Sequence, residues 1–482
     1  MNGPNLVFGV LSDIHALLSD DLVSLVPDNG VETFARALRW YDEQGIDALV
    51  LAGDITDLGL VRELRAVANA WFNVFPGDTA ADGRHVERVF ILGNHDAVGM
   101  DFGKRLFPDD AERRRETIEC DPRKAWRDCF GEDFKQYFTK TVKGYKFFCS
   151  HWKPGVWCNG YSETANSGCG EAFAAAMAEC DPGKPFFYVQ HPHPGDNLSG
   201  DGLYGNGGWG QDDGSATKLL SRFPNAVAFS GHSHEPVTDE RNLWRGAFTS
   251  LGTGSLRLVS ASDVRNIDET AGYENGGCGF SGPGGRDVAR FDAPKMMHDE
   301  LHRHDIRTGL LVSVYDDRIV VKRREFLSGL EMGDDWVLPV PARPLSFGER
   351  ATNSPPPQFP NGATLSANVV MGMTRGARHL GVEPVEKPAL RLDFPAATAG
   401  GHVIEYEIEA RGDGGGRFAT RICAIGGLYP PGHLKFALPE RAIVALDRLP
   451  AGAKTVAVTP LDSFGNRGHS LTAELGIFMA MP

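Results

Sequence analysis

Short apolar runs alternate with helical periodicity over the first hundred residues. Leu6–Leu11 is an unbroken apolar run, as expected for a strand buried on both faces. Val31, Phe34, Ala35, Leu38 and Tyr41 then recur at helical spacing, and Gly45 is placed to end that helix. Ala48–Ala52 is the next run, 61–75 carries a second helical period, and 89–92 makes a third run. The pattern predicts a βαβαβ start, hence a largely parallel sheet with right-handed crossovers. Two more buried-strand runs follow at Phe186–Val189 and 226–229.

Between and after these runs the chain changes character. Stretches 195–214 and 272–285 are glycine-rich and read as long surface loops of the kind that border functional sites. Segments 310–315 and 318–322 form a hairpin pattern turned at Asp316-Asp317. A proline-rich stretch covers 339–360. Beyond it, 403–408, 418–424 and 455–459 alternate like half-exposed strands, with 461–466 reading as the closing strand and turn. The expected organisation is a catalytic domain at 1–340, a linker at 341–360 and a β-sandwich at 361–482. No internal repeat is visible.

Length and charge narrow the picture. The 482 residues suit two or three domains and a core that needs no staple. Lys plus Arg number 49 against 63 for Asp plus Glu, a formal charge of −14. Such a balance disfavours stable binding to nucleic acid or anionic lipid. No apolar run approaches the ~18 residues of a membrane span. Leu6–Leu11 is also too short for a signal-peptide core and lacks a basic flank. The chain is therefore read as cytoplasmic, or as secreted or periplasmic with its signal already removed. Six of the eight cysteines fall between Cys120 and Cys180 without any Cys-x-x-Cys pair, which argues against a structural zinc.

Each buried-strand run ends in a polar cluster. Ser12-Asp13-Ile14-His15 follows the first, Gly53-Asp54 the second and Gly93-Asn94-His95-Asp96 the third. His191-Pro192-His193-Pro194 and Gly231-His232-Ser233-His234 follow the later two. Ligands of open α/β sheets bind beyond the carboxyl ends of strands, so these clusters should converge. Asp13, His15, Asp54, Asn94, His191, His232 and His234 together offer too many donors for one tetrahedral zinc. They suit two transition-metal ions, divalent or trivalent, sharing a carboxylate; the imidazoles favour Mn, Fe, Zn or Co over Mg or Ca.

The ordered set Asp-x-His, Gly-Asp, Gly-Asn-His-Asp, His and Gly-His-x-His resembles the calcineurin-like metallophosphoesterases over roughly residues 5 to 340. The resemblance implies a four-layer fold, two mixed sheets flanked by helices. It implies Asp13, His15, Asp54 and His234 on one metal, and Asp54, Asn94, His191 and His232 on the other. It leaves His95 off the metals as the group that assists the leaving oxygen, and puts Asp57 where some members place the carboxylate that orients that histidine. The implied activity is hydrolysis of a small-molecule phosphate ester, with phosphodiesters ahead of phosphomonoesters. A non-catalytic metal-binding module is the distant alternative. Oligomeric state is not legible.

Other readings stand beside these. Asp57 also fits the N-cap of the helix that starts near Leu60. The family register favours His191 over His193. His151 reads either as a pocket residue or as a satisfied histidine. The group His298, His302 and His304 reads as solvated. Tyr204 and Trp209, on the glycine-rich loop, are expected to rim the cleft and to favour a ring-bearing substrate.

Overall fold

The computed structural model describes residues 3–18, 30–100, 111, 115–155, 169–195, 197–198, 212, 214–259, 306–373 and 386–476. They divide into two compact units. The first comprises residues 1–237, 242–259 and 306–346.

In this unit the apolar runs become strands almost residue for residue. They are β1 (Leu6–Leu11), β2 (Ala48–Ala52) and β3 (Glu87–Ile91), with helices α1 (Val31–Glu43) and α2 (Val61–Val74) between them. The short α3 (Asn94–Ala97) and the helix α4 (Pro122–Phe130) come next. Then follow β4 (Tyr137–Val142), β5 (Tyr145–Ser150), α5 (Cys169–Ala178) and β6 (Phe186–Val189). The unit continues with α6 (Ser215–Leu220), β7 (Ala226–Ser230), β8 (Leu243–Arg245) and β9 (Thr249–Gly252). It ends with β10 (Thr308–Val314), β11 (Arg318–Glu325) and β12 (Trp336–Pro339).

Two six-stranded sheets result, ordered β12-β11-β10-β1-β2-β3 and β4-β5-β6-β7-β9-β8. The first is mixed rather than largely parallel. β1, β2 and β3 run parallel, but the hairpin β10–β11 returns to satisfy the open edge of β1 in antiparallel register. A strand run cannot reveal which later segment fills its free edge.

Helices α1, α2 and α4 cover one face of the first sheet through Phe34, Leu38, Leu64, Trp71 and Trp126. Against the second sheet, α5 and α6 pack Phe173, Met177, Leu219 and Leu220. The sheets meet through aromatic edges: Phe8 lies 5.2, 4.8 and 5.7 Å from the rings of Phe147, Phe187 and Phe229. The layers are therefore helix, sheet, sheet, helix. This arrangement brings the carboxyl ends of β1, β2 and β3 beside those of β6 and β7.

The second unit comprises residues 238–241, 260–305 and 347–482. It opens with α7 (Phe347–Asn353), inside the stretch read as linker, followed by β13 (Ser366–Met373), β14 (Glu386–Phe394) and β15 (Val403–Arg411). The last strands are β16 (Arg417–Cys423), β17 (Glu440–Ala445), β18 (Thr455–Asp462) and β19 (Leu471–Glu474). Two antiparallel sheets, β13-β14-β17 and β16-β15-β18-β19, enclose one core. Every second residue points inward: Leu390, Leu392 and Phe394; Tyr406, Ile408 and Ala410; Val456 and Val458. The closing strand is β19, not 461–466. Asp462 ends β18 and its carboxylate turns the chain by accepting from the N–H groups of Phe464 and Asn466, both at 2.9 Å.

Candidate metal centre

Strand ends deliver the polar clusters, and the loops that carry them are stitched to one another. The Asp13 N–H bonds the Gly53 carbonyl and the His15 N–H that of Asp54, both at 3.0 Å; Gly231 bonds the His191 carbonyl at 2.8 Å. Asp96 clamps two of these loops. Its oxygens accept from the N–H groups of Thr56 at 2.7 Å, Ile55 at 3.1 Å and Gly93 at 2.8 Å, and from the Thr56 hydroxyl at 2.7 Å.

The backbone there is unusual. Asp13, His15, Asp54, His232 and His234 all have φ between 45° and 73°, the left-handed region that L-residues avoid at a cost of roughly 1–2 kcal/mol each. Two neighbouring glycines are required by space. A Cβ on Gly53 would strike the His191 ring, and one on Gly231 would strike the Asp13 carboxylate. Strained turns and bare glycines let five side chains crowd onto one spot.

The donor atoms gather in neighbouring sets. Those of Asp13, His15 and His234 lie within 4.8 Å of one another, as do those of Asp54, His191 and His232. His15 Nε2 is 3.1 Å from His234 Nε2 and 3.6 Å from Asp54 Oδ2, while His191 Nε2 is 3.2 Å from that same oxygen. Asp54 therefore stands between the two sets. Its other oxygen accepts the His95 N–H at 2.9 Å.

Outward hydrogen bonds fix the rings. His191 Nδ1–H donates to the Ala52 carbonyl at 2.7 Å, and His15 Nδ1 meets Asp57 Oδ1 at 3.1 Å. Both leave Nε2 turned inward, where it could serve as a ligand atom.

Two observations test whether these residues suit metal ions. Asn94 Oδ1 and His191 Nε2 are buried with no hydrogen bond, although groups so placed ordinarily find a partner. Two imidazole nitrogens facing each other at 3.1 Å need a cation or a proton between them. The donor set fits. Its electrostatics agree. Burial works against the Asp13 charge, yet the His234 and His15 imidazoles outweigh it and hold the carboxyl well below the usual range. Burial likewise opposes charge on His15 and His191. Asp13 and Asp57 nevertheless carry His15 up to about 10, and Asp54 carries His191 up to about 9. The site craves positive charge, which protons supply and metal ions would displace.

His95 and Asp57 lie at the side of these sets. The His95 ring sits 4.4 Å from that of His15, and its Nδ1–H donates to the Asp57 backbone carbonyl at 2.7 Å. The Asp57 carboxylate is 3.9 Å from His95 Nδ1 but 3.1 Å from His15 Nδ1 and 3.3 Å from Arg257 Nη1. Burial opposes its charge; His15 and Arg257 hold it down at about 2. The main chain at Asp57 thus orients His95, while its side chain orients His15. Nor does Asp57 cap α2. Leu60 is the N-cap, and Glu63 closes the turn by accepting from Leu58 and Leu60 N–H groups. Burial, with a smaller opposing pull from Asp54, lowers the His95 pKa below its ordinary value.

His193 is kept apart, its ring bonded to Ser230 Oγ and Ser233 Oγ, both at 2.7 Å. His151 is buried with Nδ1 accepting from the Leu92 N–H at 2.9 Å. Tyr204, Trp209, His298, His302 and His304 lie outside the described residues. Cys129 and Cys149 are buried thiols. Sequence reasoning passed over Asp96, whose only signal was its place in Gly-Asn-His-Asp, and Arg257. Arg257 is buried and bonds the His15 carbonyl, and no local motif announces it.

Residues 6–236 match the calcineurin-like phosphoesterase family model. The first unit has the two mixed sheets and flanking helices expected of that family, with β8 to β12 lying beyond the matched stretch. Comparison with curated proteins gave no sequence match. Among solved structures, a dimetal phosphatase from Danio rerio is 9% identical, with 70% of this chain and 99% of that one covered at a TM-score of 0.39. A purple acid phosphatase from yellow lupin (Lupinus luteus) is 13% identical, with 70% and 55% covered at 0.37. A predicted phosphoesterase from Streptococcus pneumoniae is 11% identical, with 70% and 99% covered at 0.29.

Among the described residues no helix is long and apolar enough to cross a membrane.

Proposed function

We propose that the chain is a binuclear metal-dependent phosphohydrolase acting on phosphodiesters. The observation that carries this reading is a pair of neighbouring donor sets, with Asp54 Oδ2 3.6 Å from His15 in one and 3.2 Å from His191 in its own, beside buried atoms that have no hydrogen bond. Asp13, His15, Asp54 and His234 would hold one ion, and Asp54, Asn94, His191 and His232 the other. When bound, two such ions supply Lewis acidity, acidifying water and neutralising phosphoryl oxygens.

The protein's own groups do the rest. The Asp57 carbonyl anchors His95 Nδ1–H, so Nε2 is the ring atom that hands a proton to the leaving oxygen. Burial, aided by the His15 charge, lowers the pKa of that ring; a phosphoryl group's negative charge beside it would raise it again. Asp96 and the left-handed turns hold the donors in place, so little reorganisation accompanies the reaction. Preference for diesters rests on Gly231-His232-Ser233-His234 beside Gly93-Asn94-His95-Asp96, a pairing similar to the diesterase branches of the family.

The test is metal analysis followed by paired substrates, bis(4-nitrophenyl) phosphate and 4-nitrophenyl phosphate. About two transition-metal ions per chain, chelator-sensitive turnover and faster diester cleavage are expected. Cleavage of the monoester alone would reassign the substrate class. Two bound ions with no turnover on either would make the chain a metal-binding interaction module.

A further inference from the structure

One aromatic hollow in the first unit takes no part in this chemistry. It has a volume of about 250 Å³ and is lined by Phe90, Trp126, Phe130, Phe138 and His151, with charged residues at its margin. The size suits a one- or two-ring molecule, below the ~300–1,000 Å³ typical of drug-sized ligands.

His151 is the informative residue. It is 1% exposed, with its ring 5.1 Å from Trp126 and 5.3 Å from Phe138. Because Nδ1 accepts from the Leu92 N–H, the proton of the neutral ring sits on Nε2. Burial, aided by the Lys140 charge, pushes the pKa down to about 3, so the ring is neutral at any working pH. No hydrogen bond from the Nε2–H to a described residue is found. Since His151 lines the hollow, this N–H is open to an acceptor oxygen of a ligand there.

The charges at the margin are unequally matched. Glu132 pairs with Arg88 at 2.9 Å and Lys140 at 3.2 Å, and Asp133 with Arg127 at 2.9 Å. Arg88 and Lys140 are further paired with Asp78 at 2.9 Å and Glu87 at 2.7 Å. Lys135 alone of the lining charges has no carboxylate partner among the described residues. The surplus at the margin is one positive charge.

We infer that this hollow binds a small aromatic acid. Its ring lies among Phe90, Trp126 and Phe138, an acceptor oxygen takes the His151 Nε2–H, and its anionic group pairs with Lys135. The site is separate from the metal donors, although the next residue, Trp152, packs against His191 and His232 with ring centroids 6.2 and 6.1 Å away.

The probe is 6-hydroxy-2-naphthoate, whose hydroxyl and carboxylate lie at opposite ends of a flat bicycle. Titration uses the full chain after chelator treatment, so that carboxylate binding to metal cannot contribute and the outcome is independent of the phosphohydrolase reading. One saturable site per chain is expected. Lys135→Glu, on the surface, should weaken binding about three- to tenfold, and Thr139→Trp, which fills the mouth, should abolish it. Loss of the acceptor in plain 2-naphthoate should also weaken binding, and 2-naphthol, lacking the anion, should bind less well still. His151→Phe should remove the advantage of the hydroxyl while retaining an aromatic wall. Absence of saturation by about 1 mM probe in the stripped protein overturns the proposal. So does binding that is indifferent to both Lys135→Glu and Thr139→Trp, or 2-naphthol binding as tightly as the acid.

Discussion

The two compact units use their polar residues in opposite ways. In the all-β unit, side-chain polar groups serve the strands. The Tyr406 hydroxyl accepts the Ala397 N–H at 2.8 Å, and Glu407 pairs with Arg467 at the surface-facing side of β15. Among its described residues no position other than glycine has a left-handed backbone. The strand ends of the first unit instead hold five non-glycine residues in that conformation and leave Asn94 Oδ1 and His191 Nε2 without hydrogen bonds. Regular alternation produces a fold that satisfies itself. Strain and polar atoms without hydrogen bonds are what a binding site costs, and the first unit concentrates both at its strand ends.

Removing the shared carboxylate breaks this contrast most severely. Asp54→Asn retains an oxygen for the His95 N–H but loses the charge that faces both His15 and His191. Metal content should fall at both positions, with turnover reduced at least ~10³-fold. A protein with two ions per chain and normal turnover would sink the shared-ligand assignment. Next in size is His95→Asn, expected to keep both ions and to lose about 10²–10⁴ in rate. That loss should shrink for nitrophenolate leaving groups, which hardly need a proton. An equal loss with good and poor leaving groups would make His95 a phosphate-binding group instead.

How much of this was legible in the sequence follows from the kind of interaction concerned. β1, β2 and β6 appear in the sequence because burial on both faces writes an unbroken apolar run. The inward faces of β14, β15 and β18 appear because burial on one face writes alternation. The antiparallel partner of β1 was hidden, since edge pairing depends on a segment some 300 residues later. Arg257 was hidden for the same reason: its bond to the His15 carbonyl spans a sequence separation of 242. The role of Asp57 was half legible. The residue type suggested a carboxylate orienting His95, but only the turn geometry reveals that the backbone does so while the carboxylate holds His15.

Asp57→Asn therefore sharpens the comparison at a smaller scale. Because the His95 bond is to the main chain, this substitution leaves it intact. What weakens is the hold on His15 Nδ1 and the pairing with Arg257. Affinity for one of the two metal ions should fall by ~10–100-fold, as for other outer partners of ligating histidines. The dependence of rate on leaving group should stay that of the unmodified protein once metal is in excess. If metal titration is unchanged and leaving-group dependence shifts, the carboxylate orients His95 after all.

The smallest effect tests the all-β unit where it departs from its own rule. Glu440 is 1% exposed; Oε1 accepts the Ile425 N–H at 2.9 Å, while Oε2 has no hydrogen bond. Burial pushes its pKa up to about 8 from 4.5. A carboxyl whose pKa is raised by folding favours the folded state only while protonated. Its contribution is complete below about pH 4.5 and is lost as pH climbs to about 8. Glu440→Gln removes the proton dependence and keeps an acceptor for Ile425. Chemical denaturation followed between pH 5 and pH 9 should show the unmodified chain losing stability across that interval, by an amount on the order of 1–3 kcal/mol. The variant should follow a flatter curve and cross above it at the alkaline end. Parallel curves for the two proteins would mean that Glu440 stays ionised inside the fold, with a compensating partner yet to be found.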